Sequence, residues 1–476
     1  MEIYYGMSEV SLEDIVSLCK RRGFIFQGSE IYGGLAGTWD YGPLGVTLKR
    51  NIMNLWWKTF VEDREDMVGV DAAILMNQKV WQASGHVDTF TDPLVECSEC
   101  KSRFREDQID TAKCPTCGKT DTFSEARSFN MMFETFAGPT ANLGLAAALE
   151  IAKKMEEKQN SGGVDYKEAF EGTKAAMIDV LKSEIESTVY LRPETAQGIF
   201  TNFKNVVDTL YPDLPFGIAQ QGKAFRNEIS PRDFVFRSRE FEQMEIEYFV
   251  HPEKWEESFE MLRLAIHDWC ALLGLPETAV HELEVPESDR AHYSKRTIDF
   301  EFDFPIGRKE LLGLAYRTSF DLDNIERVSG KNMKYTPKEP GSTPFIPHVI
   351  EPSFGVERTI MAVLTSAYKV DEVNGEKRVY LALPDNIAPV KYVVGPLLKN
   401  KPELVAKARE VYSALKKKHG AVLWDDNSNI GKRYRRADEI GVPYCIVIDF
   451  DSLTDNAVTV RDRNTTEQKR IKIEDL

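Results

Sequence analysis

The 476-residue sequence has little cysteine, and its seven cysteines do not suggest a disulfide framework. Four of them fall in two CxxC pairs between residues 97 and 117. The other three stand singly in apolar surroundings, where a small buried thiol is the usual arrangement: Cys19, Cys270 and Cys445. We therefore expect a protein of a reducing compartment.

The sequence also lacks a long hydrophobic run, and we expect no secretory leader. The apolar stretch LGLAAALEIA, residues 143–152, is far shorter than the roughly 20 residues that span a bilayer. The first 23 residues, MEIYYGMSEVSLEDIVSLCKRRG, carry acidic residues where a signal peptide has a basic start and an apolar core. We expect a cytoplasmic protein with no membrane partner.

Positive charge is outnumbered by negative charge, with 60 lysines and arginines against 76 acidic residues, and it is unevenly distributed. The formal net charge is −16, yet residues 381–476 carry 17 lysines and arginines against 14 acidic residues, whereas residues 1–380 carry 43 against 62. This acidic balance argues against nucleic-acid binding over the whole surface, because phosphate contact needs local positive charge. The C-terminal segment is the better candidate for such contact.

The length predicts two or three domains, since one core rarely serves so long a chain. Hydrophobic content of 42% and charged content of 29% are ordinary for a globular protein. After Tyr380, the apolar strand patterns KYVVGPL, AVLWD and YCIVIDF alternate with the helical patterns PELVAKAREVYSALKKKHG and NIGKRYRRADEIG. This alternation predicts a small α/β domain over residues 381–476.

Local signals predict elements nearer the N-terminus. Ser11 should cap a helix that Asp14 supports in its first turn and that Gly23 ends. Apolar residues at helical spacing predict further helices over residues 46–61 and 255–273.

Two longer segments are predicted to form an insertion and a loop. Residues 91–188 resemble an insertion that ends in a helical hairpin, because helical patterns at 143–159 and 166–187 flank the turn NSGGVD. Residues 331–352 are rich in proline and glycine and are predicted to form a loop.

Two CxxC knuckles begin the predicted insertion. The sequence CSECKSRFREDQIDTAKCPTCG separates them by 13 residues, with a glycine after the second. Four thiolates at this spacing suit a closed structural zinc site with no open position for catalysis. A pair of redox dithiols is the alternative. The predicted zinc ligands are Cys97, Cys100, Cys114 and Cys117.

Residues 224–249, AFRNEISPRDFVFRSREFEQMEIEYF, combine charged residues with the alternation of a β-hairpin. Side chains two residues apart share one face of a strand, so Arg226 and Glu228 should point the same way from the first strand. On the second strand, the core face should hold Met244, Ile246 and Tyr248, and the charged face Phe241, Gln243, Glu245 and Glu247.

Three further segments place charged groups in apolar or turn sequence. VYLRPETAQGIF carries Glu194, RKELLGLAYRTSFDLDN carries Glu310 and Arg317, and VIEPSFGVERTIMAVL carries Glu351, Ser353 and Gly355 before a helix near Arg358. A buried carboxylate needs a cationic partner, which is either a protein side chain or a ligand. For one residue an internal Arg–Glu pair is an equal alternative, but four such segments together favour a ligand site.

Together these segments resemble the class II aminoacyl-tRNA synthetases, and the match is close to the dimeric glycyl type. YGPLG (41–45) with the following helix is similar to motif 1, FRNEISPRDFVFRSREFEQMEIEYF to motif 2 and EPSFGVER to motif 3. SGHVDTFTDPLVEC, YLRPETAQGIF, RAHYSKRTIDFEFDFP and GKRYRRADEIGVPY are similar to glycyl enzymes. The segment between Phe136–Pro139 and VYLRPE is longer than in the compact bacterial form.

The resemblance implies a fold and a partner set. The fold is an α+β catalytic domain on an antiparallel sheet (residues 1–90 and 189–380), an insertion with a zinc module and helical hairpin (91–188), and a C-terminal α/β anticodon-binding domain (381–476). The implied partners are glycine, ATP with Mg²⁺, tRNA(Gly) and a second copy of the chain, with Pro43 at the dimer interface.

The resemblance also implies how ATP is held. Arg226 would bind the α-phosphate and the attacking carboxylate, and Arg237 and Arg358 the γ-phosphate. Arg358 and Phe241 would sandwich the adenine, Glu228 would accept from its amino group, and Glu310 would bind magnesium. The catalytic set is Arg226, Arg358 and Glu310, with further ATP contacts at Asn227, Phe236, Leu311 and Gly355. No side-chain nucleophile is required, and no persuasive Ser-His-Asp or Cys-His set is present.

The charged face would then hold a substrate that offers only an ammonium and a carboxylate. The implied glycine contacts are Arg105, Glu194, Phe241, Gln243, Glu245, Arg317, Glu351 and Ser353. The implied tRNA contacts face outward from the helical NIGKRYRRADEIG segment: Lys432, Arg433, Arg435 and Arg436. The alternatives are an inactive synthetase-like RNA-binding or accessory subunit, and a class II synthetase for serine or alanine.

Overall fold

The helices predicted from local sequence signals are present in the part of the chain that the structure describes. This computed structural model describes residues 10–137, residue 153 and residues 187–476. In the first helix, Ser11 and Asp14 form the predicted capping box and Gly23 ends it with φ 75°. The helices predicted over residues 46–61 and 255–273 are also confirmed, the first with a π-helical final turn. The helices are α1 (Leu12–Arg22), α2 (Pro43–Trp57), α3 (Gln78–Ala83), α4 (His86–Thr89), α5 (Ala196–Leu210), α6 (Trp255–Leu272), α7 (Phe320–Ser329), α8 (Val356–Ala367), α9 (Pro402–His419), α10 (Ile430–Glu439) and α11 (Ser452–Asp455).

The strands form one large sheet and several smaller ones. They are β1 (Ile25–Gln27), β2 (Trp39–Tyr41), β3 (Met67–Gly69), β4 (Thr91–Glu96), β5 (Arg103–Arg105), β6 (Arg127–Asn130), β7 (Phe133–Phe136), β8 (Thr188–Leu191), β9 (Phe216–Phe225), β10 (Glu240–Val250), β11 (Val280–Glu284), β12 (Arg296–Phe304), β13 (Gly307–Thr318), β14 (His348–Gly355), β15 (Tyr368–Val373), β16 (Glu376–Leu381), β17 (Tyr392–Pro396), β18 (Val422–Trp424), β19 (Tyr444–Ile448), β20 (Ala457–Asp462) and β21 (Gln468–Lys472).

The large sheet has seven strands in the order β11-β12-β13-β14-β10-β9-β3. Every neighbouring pair is antiparallel except β3 with β9. One face packs on α2, α6 and α8 through an aromatic cluster in which Trp56 and Trp269 both contact Phe354 edge-on. The antiparallel α+β core expected of a class II synthetase is therefore confirmed.

The C-terminal region contains a five-stranded sheet in the order β18-β17-β19-β20-β21. Strand β17 pairs in parallel with β18 and β19, whereas β20 and β21 are antiparallel. The three predicted strands and two predicted helices are confirmed, and β20 and β21 are additional. No helix of the described residues has both the length and the apolarity that a bilayer crossing requires.

Two predictions of local structure were wrong. Strand β9 ends at Phe225 and β10 begins at Glu240, so Arg226 and Glu228 lie in the 226–239 loop and not on a strand. The predicted loop 331–352 extends only to 347, because β14 begins at His348 and pairs with both β10 and β13. The predicted helical hairpin at 143–187 lies outside the described residues, apart from residues 153 and 187.

Candidate active site

A cavity of about 510 Å³ lies on the face of the large sheet away from the aromatic core. The period-two alternation of β10, β13 and β14 produces this separation: core residues such as Met244 and Phe354 alternate with cavity residues such as Glu245 and Ser353. Fifteen of the seventeen predicted ATP and glycine contacts line the cavity, and the exceptions are Asn227 and Arg317. The structure thus brings segments that are far apart in sequence into one site.

Acids gather at the inner end of the cavity, and we call them the acid cluster: Glu194, Glu245 and Glu351, which line the cavity, and Glu247, which is fully buried and does not line it. Glu245 is 1% exposed and accepts hydrogen bonds from Thr195 Oγ1 and, at 2.8 Å, from Ser353 Oγ. Burial and the nearby Glu194 raise the pKa of Glu245, and the two hydroxyl donors oppose that rise. This carboxylate is therefore oriented by fixed donors but is not neutralised by them.

Arg317 lies beneath the cavity and does not line it. The side chain is 1% exposed and donates to both Asp321 oxygens at 2.8 and 3.0 Å and to Glu351 Oε1 at 2.7 Å. Burial raises the pKa of Glu351 to about 8, with Glu245 and Glu194 adding to the rise and Arg317 opposing it. Arg317 therefore holds Glu351 in place and leaves the cluster with excess negative charge.

Glu194 stands at the N-terminal end of α5, opposite Glu245. His86 Nε2 lies 3.3 Å from its Oε2 atom. Burial would raise the pKa of Glu194, but His86, Arg317 and Arg226 together lower it to about 2. Glu194 is therefore ionised at neutral pH and keeps the cluster anionic.

The outer end of the cavity is lined by arginines. Arg226 Nε donates to the Pro193 carbonyl at 3.1 Å, and the guanidinium lies between the rings of Phe241 and Phe90, 5.3 and 5.4 Å from their centroids. Arg358 stacks over Phe236 at 4.6 Å and pairs with Glu310 at 2.9 Å. Each of these two guanidinium groups therefore has an aromatic face as a support.

Two acids stand among these arginines. Arg237 Nη1 lies 3.6 Å from Glu228, whose pKa is raised by burial against the opposing effects of Arg237 and Arg226. The charge of Arg358 lowers the pKa of Glu310. Asp299 also lines the cavity, and burial with the nearby Glu310 and Glu301 raises its pKa to about 6. Glu310 and Asp299 supply the oxygen atoms that a hard divalent cation prefers as ligands.

Arg105 lines the cavity, but two neighbouring aspartates already neutralise its charge. It pairs with Asp92 at 2.8 Å and with Asp107 at 2.7 Å. Asn227 was expected to contact the nucleotide, but its place is set by its backbone N–H, which donates to the Met131 carbonyl at 2.8 Å. Both residues therefore support the wall of the cavity in this structure.

The four cysteines of the CxxC knuckles come together beside β4. Their sulfur atoms lie within 4.8 Å of one another, and the Cys97–Cys117 and Cys100–Cys114 pairs are 3.8 and 3.7 Å apart. A zinc ion with Zn–S bonds of about 2.3 Å requires tetrahedral S···S edges of about 3.8 Å. The four thiols are free, so the cluster has the donors and the spacing to hold zinc.

Comparison with known proteins places this site in a family. Residues 180–367 match the model of the tRNA synthetase class II core domain (G, H, P, S and T), and residues 391–476 match the anticodon binding domain. The chain is 44% identical to the glycine–tRNA ligase of Caldanaerobacter subterraneus subsp. tengcongensis, over 98% of this chain and 97% of that protein. The chain belongs to the glycine–tRNA ligase family. The ligases of Lachnoclostridium phytofermentans (44% identity, 98% of each chain) and Thermobifida fusca (42% identity, 98% of this chain and 96% of the other) are similar over the same extent.

One part of the predicted tRNA-contact set in this family member was wrong. Arg433 was expected to face outward from α10, but it is 5% exposed and donates to the carbonyls of Pro396 and Leu397 at 2.7 and 3.0 Å. It lies three residues from Ile430 and four from Ala437, on the apolar face. Arg435 pairs with Glu376 and Arg436 with Asp425, each at 2.7 Å, whereas Lys432 is exposed.

Sequence reasoning missed several site residues of this ligase-family cavity. His86, Thr195 and Asp299 become neighbours of the cavity only through the tertiary fold, and no local pattern indicates them. Glu247 is different, because its period-two spacing from Glu245 places it on the charged face, although neither that pattern nor the family resemblance assigns it a role. That spacing was the available signal.

Proposed function

We propose that the protein is a glycine–tRNA ligase that activates glycine with ATP and transfers the glycyl group to the 3′ end of tRNA(Gly). The observation that carries this proposal is the division of one cavity into a buried anionic end and an arginine-rich end. A zwitterion at the first and a triphosphate at the second would bring a carboxylate and an α-phosphate together.

Glycine would enter with its ammonium toward the acid cluster. Glu194, Glu245 and Glu351 line this end of the cavity, and Ser353 fixes Glu245. Glycine has no side chain, so its two charged groups are the only means of recognition. A rigid polar wall rejects a larger amino acid by overlap, and no separate editing site is then needed.

ATP would occupy the arginine-rich end. The first step is attack of the glycine carboxylate on the α-phosphorus, with pyrophosphate as leaving group and glycyl-adenylate as product. Negative charge develops on the phosphoryl oxygens, and Arg226 is fixed by Pro193, Phe241 and Phe90 before the substrates arrive. Fixed cations of this kind lower the barrier because they do not reorganise during the reaction. Arg237 and Arg358 would hold the γ-phosphate.

Glu310 and Asp299 are the side chains that fit a magnesium ion at this end. Bound there, the ion would neutralise phosphate charge. Phe236 lies under Arg358 and Phe241 under Arg226, so the two aromatic rings serve different arginines. We propose that the adenine is held between these stacked pairs, with Glu228 toward its amino group.

The test of this function is ATP–pyrophosphate exchange by the purified protein. We expect exchange that depends on glycine and that falls at least a hundredfold when alanine or serine replaces it, because overlap in a rigid polar pocket excludes the larger amino acids. Equal rates with alanine or serine would favour a different class II synthetase. Absence of exchange with every amino acid would favour the inactive RNA-binding subunit.

We propose that the four cysteines hold a structural zinc ion. Removal of the metal with a chelator should leave about one zinc fewer per chain and destabilise the module around β4–β6, since four-cysteine sites supply folding energy. Metal analysis and thermal unfolding measure both effects. Cys19→Ser and Cys445→Ser are the matched controls, because these buried cysteines lie outside the cluster. Full zinc content in a Cys114→Ser variant would contradict the assignment.

We also propose the larger assembly that the family resemblance implies. The chain would act as a homodimer in the cytoplasm, divided as 1–90 with 189–380, 91–188 and 381–476. Pro43 is exposed at the start of α2, and the preceding loop exposes Ile31 and Tyr32 at 88% and 87%, which a partner copy would cover. Lys432, Arg435 and Arg436 remain the proposed tRNA contacts on α10, without Arg433.

A further inference from the structure

Glu247 is a buried acid that the proposed reaction does not use. The residue is 0% exposed and does not line the cavity. Neither carboxylate oxygen has a hydrogen-bond partner among the described residues. An ionised carboxylate without a donor is costly to bury, so this position requires either a proton or a cation close by.

The strand register brings Glu247 against a second acid. Strands β10 and β14 pair Glu245 with Ser353 and Tyr248 with Ile350, and the same register sets Glu247 opposite Glu351. Carboxylate oxygens of Glu245, Glu247 and Glu351 lie within 4.8 Å of one another. Like charges directly opposite in a sheet repel, so two carboxyl groups this close resist double ionisation and one of them keeps its proton.

The groups that face this pair do not supply enough positive charge. Arg317 on β13 is the nearby cation, and its donors are occupied by Asp321 on α7 and by one oxygen of Glu351. Glu245 on β10 and Glu194 before α5 add negative charge from the cavity side. Burial, Glu351, Glu245 and Asp321 all raise the pKa of Glu247 against the effect of Arg317.

We propose that the Glu247–Glu351 pair holds a proton in the free protein and releases it when the ammonium group of glycine binds. The inference rests on the proposed glycine site. One carboxylic acid becomes a carboxylate, the proton passes to solvent, and the positive nitrogen of the bound zwitterion replaces the proton's charge. Glu247 acts through Glu351 and does not touch the substrate, so it is a positioning residue.

This role explains why the position carries an acid. A glutamine would fill the same volume without any titrating proton. The exchangeable proton reduces the negative charge of the free pocket, and its loss restores that charge only when a cationic substrate is present. A neutral solute of similar size does not replace the positive charge of the released proton, so its binding is disfavoured.

The first measurement counts the protons released by the full-length protein. Titration calorimetry of glycine at pH 7 in HEPES and in Tris should show release of about one proton per glycine, because the Glu351 pKa of about 8 leaves the pair mostly protonated. Glu247→Gln should lower this release at least threefold. The control Glu240→Gln removes an exposed acid from the same strand and should leave the release unchanged.

The second measurement is the KM for glycine in pyrophosphate exchange at saturating Mg–ATP. From pH 6.5 to 7.5 the KM of the unchanged protein should fall about tenfold, as expected when one proton must leave for binding. The KM of Glu247→Gln should change less than twofold, and Glu240→Gln should follow the unchanged protein. A purely structural role for Glu247 would alter the amount of active protein but not this slope.

The results of these two measurements distinguish a failure of the proton-release proposal from a failure of the proposed ligase function. Glycine-dependent exchange with no proton release, or with a pH-independent KM, would overturn the inference and leave the ligase function standing. A Glu247→Gln variant that keeps the full proton release would also overturn it, because the proton would then come from another group. Absence of glycine-dependent exchange in the unchanged protein would overturn the function itself.

Discussion

Glu245→Ala is expected to lower glycine activation by about two to four orders of magnitude while leaving ATP binding unchanged. Removal of one partner of a buried charge pair costs about 3–5 kcal/mol, and each 1.4 kcal/mol corresponds to a factor of ten. Glu245 would supply that partner to the glycine ammonium, in an orientation fixed by Thr195 and Ser353. Alanine leaves these two hydroxyl groups with no acceptor and removes the anion.

The measurements are glycine-dependent pyrophosphate exchange and, separately, the affinity for an ATP analogue. Glu240→Ala is the matched control, since Glu240 lies on the same strand but is exposed and paired with Lys223. The Glu240→Ala variant should keep both the glycine-dependent exchange and the affinity for the ATP analogue. If Glu245→Ala activates glycine within threefold of the unchanged protein, Glu245 is a structural charge and the ammonium lies elsewhere.

The charged face of β10 was predictable because a strand of eleven regular residues leaves no freedom in side-chain direction. Alternation alone therefore separated Met244, Ile246 and Tyr248 from Gln243 and Glu245. The same holds for α1, whose beginning and end depend on capping residues within the segment itself. Residues within each segment determine the faces of β10 and the ends of α1, so both could be predicted from the sequence.

The 226–239 loop was not predictable from local pattern, because distant parts of the chain hold its backbone. Asn227 N–H donates to the Met131 carbonyl, and Arg239 N–H donates to the Gly37 carbonyl. The alternation of charged and apolar residues within the loop therefore predicted a strand that is not present. These tertiary hydrogen bonds also place Arg226 at the cavity, so its side chain lines the expected site although its backbone is not part of a strand.

Arg433 illustrates a second limit of sequence reasoning. Its spacing from Ile430 and Ala437 placed it on the buried face of α10, but its charge favoured the solvent. The groups that stabilise the buried guanidinium are distant in sequence. They are the carbonyl groups of Pro396 and Leu397 at the end of β17, which accept its hydrogen bonds. A buried arginine requires such acceptors, and only the fold shows that they are present.

Arg226→Ala is expected to reduce the rate of pyrophosphate exchange by at least two to three orders of magnitude at saturating glycine and ATP. Loss of one pre-placed donor to a developing oxyanion costs about 10²–10³ in kcat. Arg226 would contact both the attacking carboxylate and the α-phosphate, so its loss also affects orientation. The decrease should therefore appear mainly in kcat, because the ground-state phosphates keep Arg237 and Arg358.

Two further variants make the role of Arg226 specific. Arg226→Lys keeps the charge but loses the planar fork and its stacking between Phe241 and Phe90, so it should recover no more than about a tenth of the activity. Arg232→Ala removes an exposed arginine from the same loop and should keep full activity. If Arg226→Ala raises the KM for ATP and leaves kcat unchanged, Arg226 binds the nucleotide equally in ground and transition states. In that case the electrostatic stabilisation of the phosphoryl oxygens must come from Arg237, Arg358 or the bound metal ion.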